Sequence, residues 1–280
     1  MNNQLTSVMI NGLPGNMASA VLALLKSDPR FTIVPYALTG PEITKTPDDL
    51  QANNIQLIHY PNTDLRWWAD LKSEFANLVA VDFTHPSVAN ENADLYRLHG
   101  VNFVMGTTGG DRNALTASVV TALTSGHCAV IAPNMAKQIV MLQAMLEYAA
   151  KNFPKAFAGY RLKVCESHQA GKADTSGTAK AMVGYFNSLG IPFNVNQIVM
   201  IRDKTIQRAM GVPEEYLDGH GWHTYTLESA DGNVLLQITH NVCGRSIYAA
   251  GTRDAILFLQ NKVNNGARNQ VFSMIDVLNG

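Results

Sequence analysis

A short strand-like run that breaks into a glycine turn and then a helix constrains this chain more than any other stretch. It is Ser7-Val8-Met9-Ile10-Asn11, followed by Gly12-Leu13-Pro14-Gly15-Asn16-Met17-Ala18. Strand, tight turn and helix in that order make a βα unit, and repeated βα units commit a chain to a parallel sheet flanked by helices. The pattern repeats. Phe31 to Leu38 reads as a second strand, Gln56 to Tyr60 as a third and Leu78 to Phe83 as a strongly buried fourth. Val101 to Met105 and Cys128 to Ile131 follow. Helical periodicity lies between them over Met17 to Lys26, Arg66 to Phe75 and Val88 to Leu98, with one more helix before Cys128. The polar, Pro-containing stretch 40–55 reads as loop. The expected class is α/β, a Rossmann-like doubly wound parallel sheet.

After Pro133 the pattern changes. A long helix over Lys137 to Asn152 leads to an alternating strand from Tyr160 to Cys165. A second helix follows, with Ala179, Met182, Val183, Phe186 and Leu189 on one face. His223 to Glu228 and Val234 to Asn241 alternate around Asp231-Gly232, a hairpin signal. These features predict a second, α+β domain with a mixed or antiparallel sheet. The expected boundaries are 1–132 for a dinucleotide-binding domain and 133–248 for a substrate-binding and oligomerisation domain. The helix after Gly251 would return 249–280 to the first.

Composition excludes several classes. A net charge of −1 in 280 residues offers no basic face for nucleic acid. No run approaches the roughly 18 apolar residues of a membrane span. Cys128, Cys165 and Cys243 are far apart in apolar runs and read as free buried thiols. The opening residues lack a basic start and an apolar core, so the sequence reads as cytoplasmic. His220, His223 and His240 share no acidic or Cys ligand at metal spacing, so no metal is expected.

Two stretches carry chemistry. The glycine turn has Gly-x-x-Gly-x-x-Ala spacing at a helix start, where backbone can approach a pyrophosphate. The second strand ends at Thr39-Gly40, with neither the acid that grips the ribose diol of NAD nor an Arg for a 2′-phosphate. That ending leans toward NADP. The other stretch is Glu166-Ser167-His168-Gln169-Ala170-Gly171-Lys172-Ala173-Asp174-Thr175-Ser176-Gly177-Thr178-Ala179-Lys180. Ser176, Gly177 and Thr178 stand at a helix start, whose open N–H groups can hold an anion. His168 and Lys172 lie just upstream as proton carriers. Asp174 is either an acid at the helix N-terminus or the partner that holds Lys172, and Glu166 either orients His168 or ends its strand in solvent. His240 and Arg245 either reach a ligand or serve structure.

These residues resemble the 4-hydroxy-tetrahydrodipicolinate (dihydrodipicolinate) reductase family, over nearly the whole chain. The stretch from Glu166 to Ala179 is the most specific element, and its shorter loop is similar to the plant-type branch. Four other segments agree: Gly12 to Met17, Asp82-Phe83-Thr84-His85-Pro86, Gly106-Thr107-Thr108-Gly109 and Ala132-Pro133-Asn134-Met135.

The resemblance implies an oxidoreductase that uses NADPH, with NADH an alternative, on a dicarboxylate cyclic imine of lysine and diaminopimelate biosynthesis. It assigns catalysis to His168 and Lys172. Cofactor contacts fall to Gly12, Gly15, Asn16, Met17, Gly106, Thr107, Thr108, Ala132, Pro133, Asn134 and Met135, beside Thr39 from the strand argument. Substrate contacts fall to Gln169, Ser176, Gly177 and Thr178. A homodimer or homotetramer is implied. Gln169 replaces a His of the enteric motif, Asn16 an Arg of its turn, and Ala18 the last glycine. A nucleotide-binding sensor would have no use for the His168–Lys172 pair. Another two-domain amino-acid dehydrogenase would leave Ser176-Gly177-Thr178 without a ligand.

Overall fold

The computed structural model describes residues 5–59, 65–107, 116–117, 120 and 126–280. Tyr60, Thr108 and Gly109 lie outside the described residues, as does most of the helix expected before Cys128. The chain divides into two compact units, Met1–Lys137 with Ser246–Gly280, and Gln138–Arg245.

The first unit opens with β1 (Thr6–Asn11), α1 (Asn16–Lys26), β2 (Phe31–Ile33), β3 (Tyr36–Thr39), α2 (Asp48–Ala52) and β4 (Gln56–His59). It continues through α3 (Leu65–Glu74), β5 (Val79–Asp82), α4 (Ala89–Leu98), β6 (Asn102–Met105) and β7 (Ala129–Ile131). The second unit holds most of α5 (Lys137–Asn152), then β8 (Arg161–His168), α6 (Gly177–Ser188), β9 (Val199–Ile201), α7 (Lys204–Ala209), β10 (His220–Glu228) and β11 (Leu235–Cys243). The chain closes with α8 (Ser246–Asn264), β12 (Val271–Phe272) and α9 (Met274–Asn279) in the first unit.

The main sheet runs β12-β7-β6-β5-β1-β2, and its pairings are all parallel. Its central strands are buried on both faces, so β1 and β5 read as continuous buried runs rather than alternations. Met9, Trp68, Tyr96 and Phe103 form the core on one side. Helix α8 packs close beside the segment after β7. A Cβ on Gly251 would stand 1.7 Å from the Met135 carbonyl oxygen, so only glycine fits there.

Two expectations are corrected. The run Phe31 to Leu38 is two strands, because Pro35 has no N–H to continue a ladder. β2 pairs with β1, whereas β3 leaves the main sheet and pairs with β4. The stretch 40–55 is not all loop. α2 starts after Pro47, with Asp48 and Asp49 in its first turn, where acids favour a helix N-terminus.

The second unit carries a mixed sheet, β11-β10-β8-β9. β10 is antiparallel to both β11 and β8, and β9 is parallel to β8. Ala179, Met182, Val183 and Phe186 of α6 pack on Leu162, Val164, Tyr225 and Leu227 of the sheet. Pairing with β10 carries β8 through to His168, three residues beyond the strand end expected at Cys165. His168 is therefore on a strand and not in the loop that follows.

Candidate active site

Strand alternation builds the site in the second unit. Leu162, Val164, Glu166 and His168 share one face of β8, since side chains at i and i+2 point the same way. Across the sheet Glu166 pairs with His223, and His223 with His240. The face that is apolar under α6 thus turns polar toward its end, where Glu166, His223 and His240 form one row. His168 stands in the next row opposite Gly221. A Cβ on Gly221 would sit 3.1 Å from His168 Cε1, so the glycine leaves room for the imidazole.

Glu166 is fully buried, so it does not end its strand in solvent. Its carboxylate accepts from Arg202 Nη2 at 2.6 Å and from the Ser176 backbone N–H at 2.9 Å. Buried charge persists only where it is paired and hydrogen-bonded. The same Arg202 donates from Nε to the Lys172 carbonyl at 2.8 Å. One buried ion pair therefore ties the strand, the turn that carries Lys172, and the start of α6. Gln207 Nε2 donates to the His168 carbonyl at 2.7 Å and fixes the strand end.

Both nitrogens of His168 are engaged. Nδ1 lies 3.1 Å from the His220 carbonyl oxygen, and Nε2 lies 3.3 Å from His223 Nε2. Burial lowers the His168 pKa to about 4, against the upward pull of Glu166 and with Arg202 and Lys172 adding to the depression. Burial likewise holds His223 down to about 2. Both imidazoles are therefore neutral near pH 7. His240 stacks on His223 with centroids 4.6 Å apart.

Lys172 Nζ sits 2.7 Å from Asp174 Oδ1, with about a fifth of its side chain exposed. Asp174 is thus the partner of Lys172, and that contact lowers its pKa. Ser176 is buried and its N–H is committed to Glu166. Gly177 is exposed, with no atom near the place of a Cβ. Thr178 and Gln169 are half-buried. Gly177 and Thr178 therefore carry the open end of α6. Among the described residues, Glu166, His168 and His223 place ligand atoms within 4.8 Å of one another, a spacing at which a metal ion could sit. The Glu166 oxygen nearest His223 is Oε2, which accepts from the Ser176 N–H, while Arg202 holds Oε1.

The first unit holds a cleft of about 1020 Å³ at the end of β1. Gly12, Gly15, Asn16 and Thr39 line it, together with Glu42 and the run from Phe83 to Val88. The glycines are required. Gly12 has φ +95° and a Cβ there would meet the Phe83 carbonyl oxygen at 2.4 Å, while one on Gly15 would meet the Gly12 carbonyl oxygen at 2.7 Å. Such a bare backbone turn, opening onto α1, fits a dinucleotide pyrophosphate. The Thr39 hydroxyl donates to the Leu13 carbonyl at 2.8 Å.

Met17, Gly106, Thr107 and Ala132 to Met135 are not in the lining of this cleft. The Asn134 side chain accepts from the Ala136 N–H, and Met135 is buried. The Thr107 hydroxyl is given to Asp82 at 2.8 Å.

Sequence reasoning missed the hub that shapes this region. Asp82 is fully buried and accepts from the Tyr96 hydroxyl (2.7 Å), Asn92 Nδ2 (2.9 Å), the Thr84 N–H and hydroxyl, and Thr107. Asn11 at the end of β1 joins through Tyr96. It also missed Glu42, whose carboxylate oxygens lie 2.3 Å from where a Cβ on Gly40 would be. That places an acid at the end of β3 after all.

Two family profiles match this chain, "Dihydrodipicolinate reductase, N-terminus" over residues 6–135 and "Dihydrodipicolinate reductase, C-terminus" over 138–278. The chain belongs to the dihydrodipicolinate reductase family.

Plant members agree with the expected plant-type branch. The chain is 44% identical to 4-hydroxy-tetrahydrodipicolinate reductase 2, chloroplastic, of Arabidopsis thaliana, over 97% of this chain and 77% of that protein. It is 42% identical to the probable 4-hydroxy-tetrahydrodipicolinate reductase 2, chloroplastic, of Oryza sativa subsp. japonica, over 97% and 82%. A dipicolinate-bound dihydrodipicolinate reductase from Paenisporosarcina sp. TG-14 shares the fold, with TM-score 0.65, 18% identity and 98% and 99% of the two chains covered.

The expectation of a cytoplasmic protein is corrected by these relatives, which are chloroplastic. A compartment is set by an address segment, not by the composition of a folded domain. No helix among the described residues is long and apolar enough to cross a membrane.

Proposed function

We propose that this chain reduces 4-hydroxy-tetrahydrodipicolinate to tetrahydrodipicolinate, with loss of water, in lysine and diaminopimelate biosynthesis. The observation that carries the reading is local. The turn between β8 and α6 brings His168, a Lys172 paired with Asp174, and the open helix start at Gly177 and Thr178 into one segment, in a chain of this family.

In this reading the first unit takes the nucleotide, with Gly12, Gly15 and Asn16 at the pyrophosphate. Gly106, Thr107, Thr108 and the segment Ala132 to Met135 serve the nicotinamide end. When bound, the nicotinamide supplies the hydride. NADPH is the preferred carrier in this reading, because Thr39, the last residue of β3, is not an acid; the Glu42 carboxylate close by in the cleft lining opposes that preference.

The second unit takes the ring. The Gly177 and Thr178 N–H groups and the Thr178 hydroxyl hold one carboxylate, with Ser176 beside them. Gln169 can donate to a carboxylate without adding charge. The Lys172 ammonium attracts the dianion and donates the proton that leaves with the ring hydroxyl as water. His168, as a neutral imidazole, moves a proton at Nε2. The edges of this unit's sheet expose Val199, Met200, Leu235 and Leu236. A second copy of the chain would cover that apolar surface, as expected of a dimer or tetramer.

The test mixes protein, NADPH or NADH, and the freshly made condensation product of pyruvate and aspartate semialdehyde. Nucleotide oxidation with at least one carrier is expected. No oxidation with either carrier sinks the reading.

A further inference from the structure

The reduction proposed above gives His168 a role but leaves unexplained why a second imidazole, His223, meets its ring nitrogen. Two nitrogens 3.3 Å apart must be one donor and one acceptor. The donor follows from the other contacts of His168. Its Nδ1 faces the His220 carbonyl oxygen, which can only accept, so Nδ1 carries the hydrogen. In a neutral imidazole Nε2 then holds a lone pair. His223 must supply the hydrogen from its own Nε2, and its Nδ1 is left bare. That agrees with its surroundings, since His223 Nδ1 is buried and has no hydrogen-bond partner among the described residues. A bare lone pair there needs no acceptor, whereas an N–H would be stranded.

We propose that His223 is a positioning residue: its Nε2–H caps the Nε2 lone pair of His168 and so fixes His168 as the neutral Nδ1–H tautomer until a bound anion draws a proton there. A proton arriving at His168 Nε2 would face the His223 N–H. For His168 to be protonated, either its Nε2–H must turn to a bound anion, or His223 must move its hydrogen from Nε2 to the partnerless Nδ1. No bond other than N–H changes, and the proton comes from water or from Lys172. The free protein therefore disfavours charge on His168, and an anionic ring in the site favours it.

The groups facing this pair differ in sign. Arg202 and Lys172 oppose a positive charge on His168, whereas Glu166, ion-paired with Arg202 and 4.0 Å from His223 Nε2, favours one, and burial outweighs it. His220 spends Nδ1 on the Tyr216 carbonyl and accepts at Nε2 from Ser167. His240 and Tyr225 flank the His223 ring and form no hydrogen bond to it. Gly221 helps the ring keep its place, because a Cβ there would press on His168 Cε1 at 3.1 Å and push the imidazole aside.

The inference rests on the proposed role of His168, but its test does not depend on activity. Long-range ¹H–¹⁵N spectra of the full chain with histidine label and bound nicotinamide cofactor read the tautomer of each ring. The expected result is Nδ1–H for His168 and Nε2–H for His223, with His168 assigned by loss of its signal in His168→Gln. In His223→Phe, which keeps the ring stack, the His168 titration midpoint should rise by about one pH unit or more. In His223→Gln, whose amide can donate from nearly the same place, it should stay near the wild-type value. An Nε2–H tautomer at His168 in the wild type overturns the proposal, as does an unchanged midpoint in His223→Phe. Should the spectra come out as expected while no nucleotide is oxidised, the reaction falls and the positioning role stands.

Discussion

The buried polar clusters around Asp82 and around His168 are built alike and finished differently. Each sets a buried carboxylate among donors drawn from several elements. At Asp82 the side-chain partners are matched. The carboxylate accepts from Tyr96, Asn92, Thr84 and Thr107, and the Tyr96 hydroxyl in turn accepts from Asn11. At the other cluster Glu166 is hydrogen-bonded at both oxygens, yet His223 Nδ1, both ring nitrogens of His240 and the Tyr225 hydroxyl have no partner among the described residues. A matched network fixes one arrangement, and a network with spare lone pairs can take a proton or a ligand without first losing a bond. The first cluster is therefore framework for the cleft proposed to take the nucleotide, and the second is where chemistry is expected.

Several changes would break or sharpen that contrast. The largest effect belongs to the second cluster. Lys172→Ala should lower turnover by about 10²- to 10⁴-fold while the cofactor still binds, the range that a positioned acid contributes. Stopped-flow oxidation of NADPH and cofactor fluorescence separate the two, and a near-normal rate would remove Lys172 from the reaction. Next in size, Asp82→Ala should cost stability rather than chemistry. Leaving buried donors without an acceptor should destabilise the protein by about 3 kcal/mol, measured by urea unfolding. A loss below about 0.5 kcal/mol would mean that the hub does not hold the loops.

Acid should act on the histidine cluster first. His168 and His223 are held neutral by burial at about 4 and about 2, against about 6.5 in an unfolded chain. Between those values the unfolded chain binds protons that the folded one does not. Stability is therefore full above pH about 6.5 and falls as the pH drops toward 4, by up to about 1.4 kcal/mol per pH unit for each histidine. His223→Phe removes one of the two and should make the decline shallower. An equally steep decline in that variant would show that His223 is not held neutral. The smallest effect is expected at Glu42. Taking a carboxylate away from the end of β3 should lower the KM for NADPH several-fold, by roughly 1 kcal/mol, and change that for NADH less. Equal changes for both nucleotides would detach Glu42 from cofactor choice.

What the sequence disclosed follows the same division. Runs of buried β-branched residues and the glycine turn announced the parallel sheet, because those signals are local. His168, Lys172 and the helix start at Gly177 stood out because they sit within eleven residues of one another. Their support did not. Glu166, His223 and His240 meet only through strand register, and Arg202 reaches them from beyond the next helix. One clue was present, since His223, Tyr225 and Leu227 share the parity of the core face of β10. Asp82 gathers partners from residues 84 to 107 and, through Tyr96, from Asn11, and no local pattern announces such a set. Pro35 is a legible break inside the strand-like run Phe31 to Leu38.

The sharpest test sets the clusters against each other in one experiment. Asp82→Asn and His168→Ala are compared by steady-state kinetics with NADPH and by thermal melting. The account predicts that Asp82→Asn lowers the melting temperature and raises the cofactor KM by about tenfold, with kcat within about threefold of wild type. His168→Ala should lower kcat by about 100-fold or more, with cofactor KM unchanged and melting lowered less than in Asp82→Asn. A collapse of kcat in Asp82→Asn together with near-normal turnover in His168→Ala would contradict it.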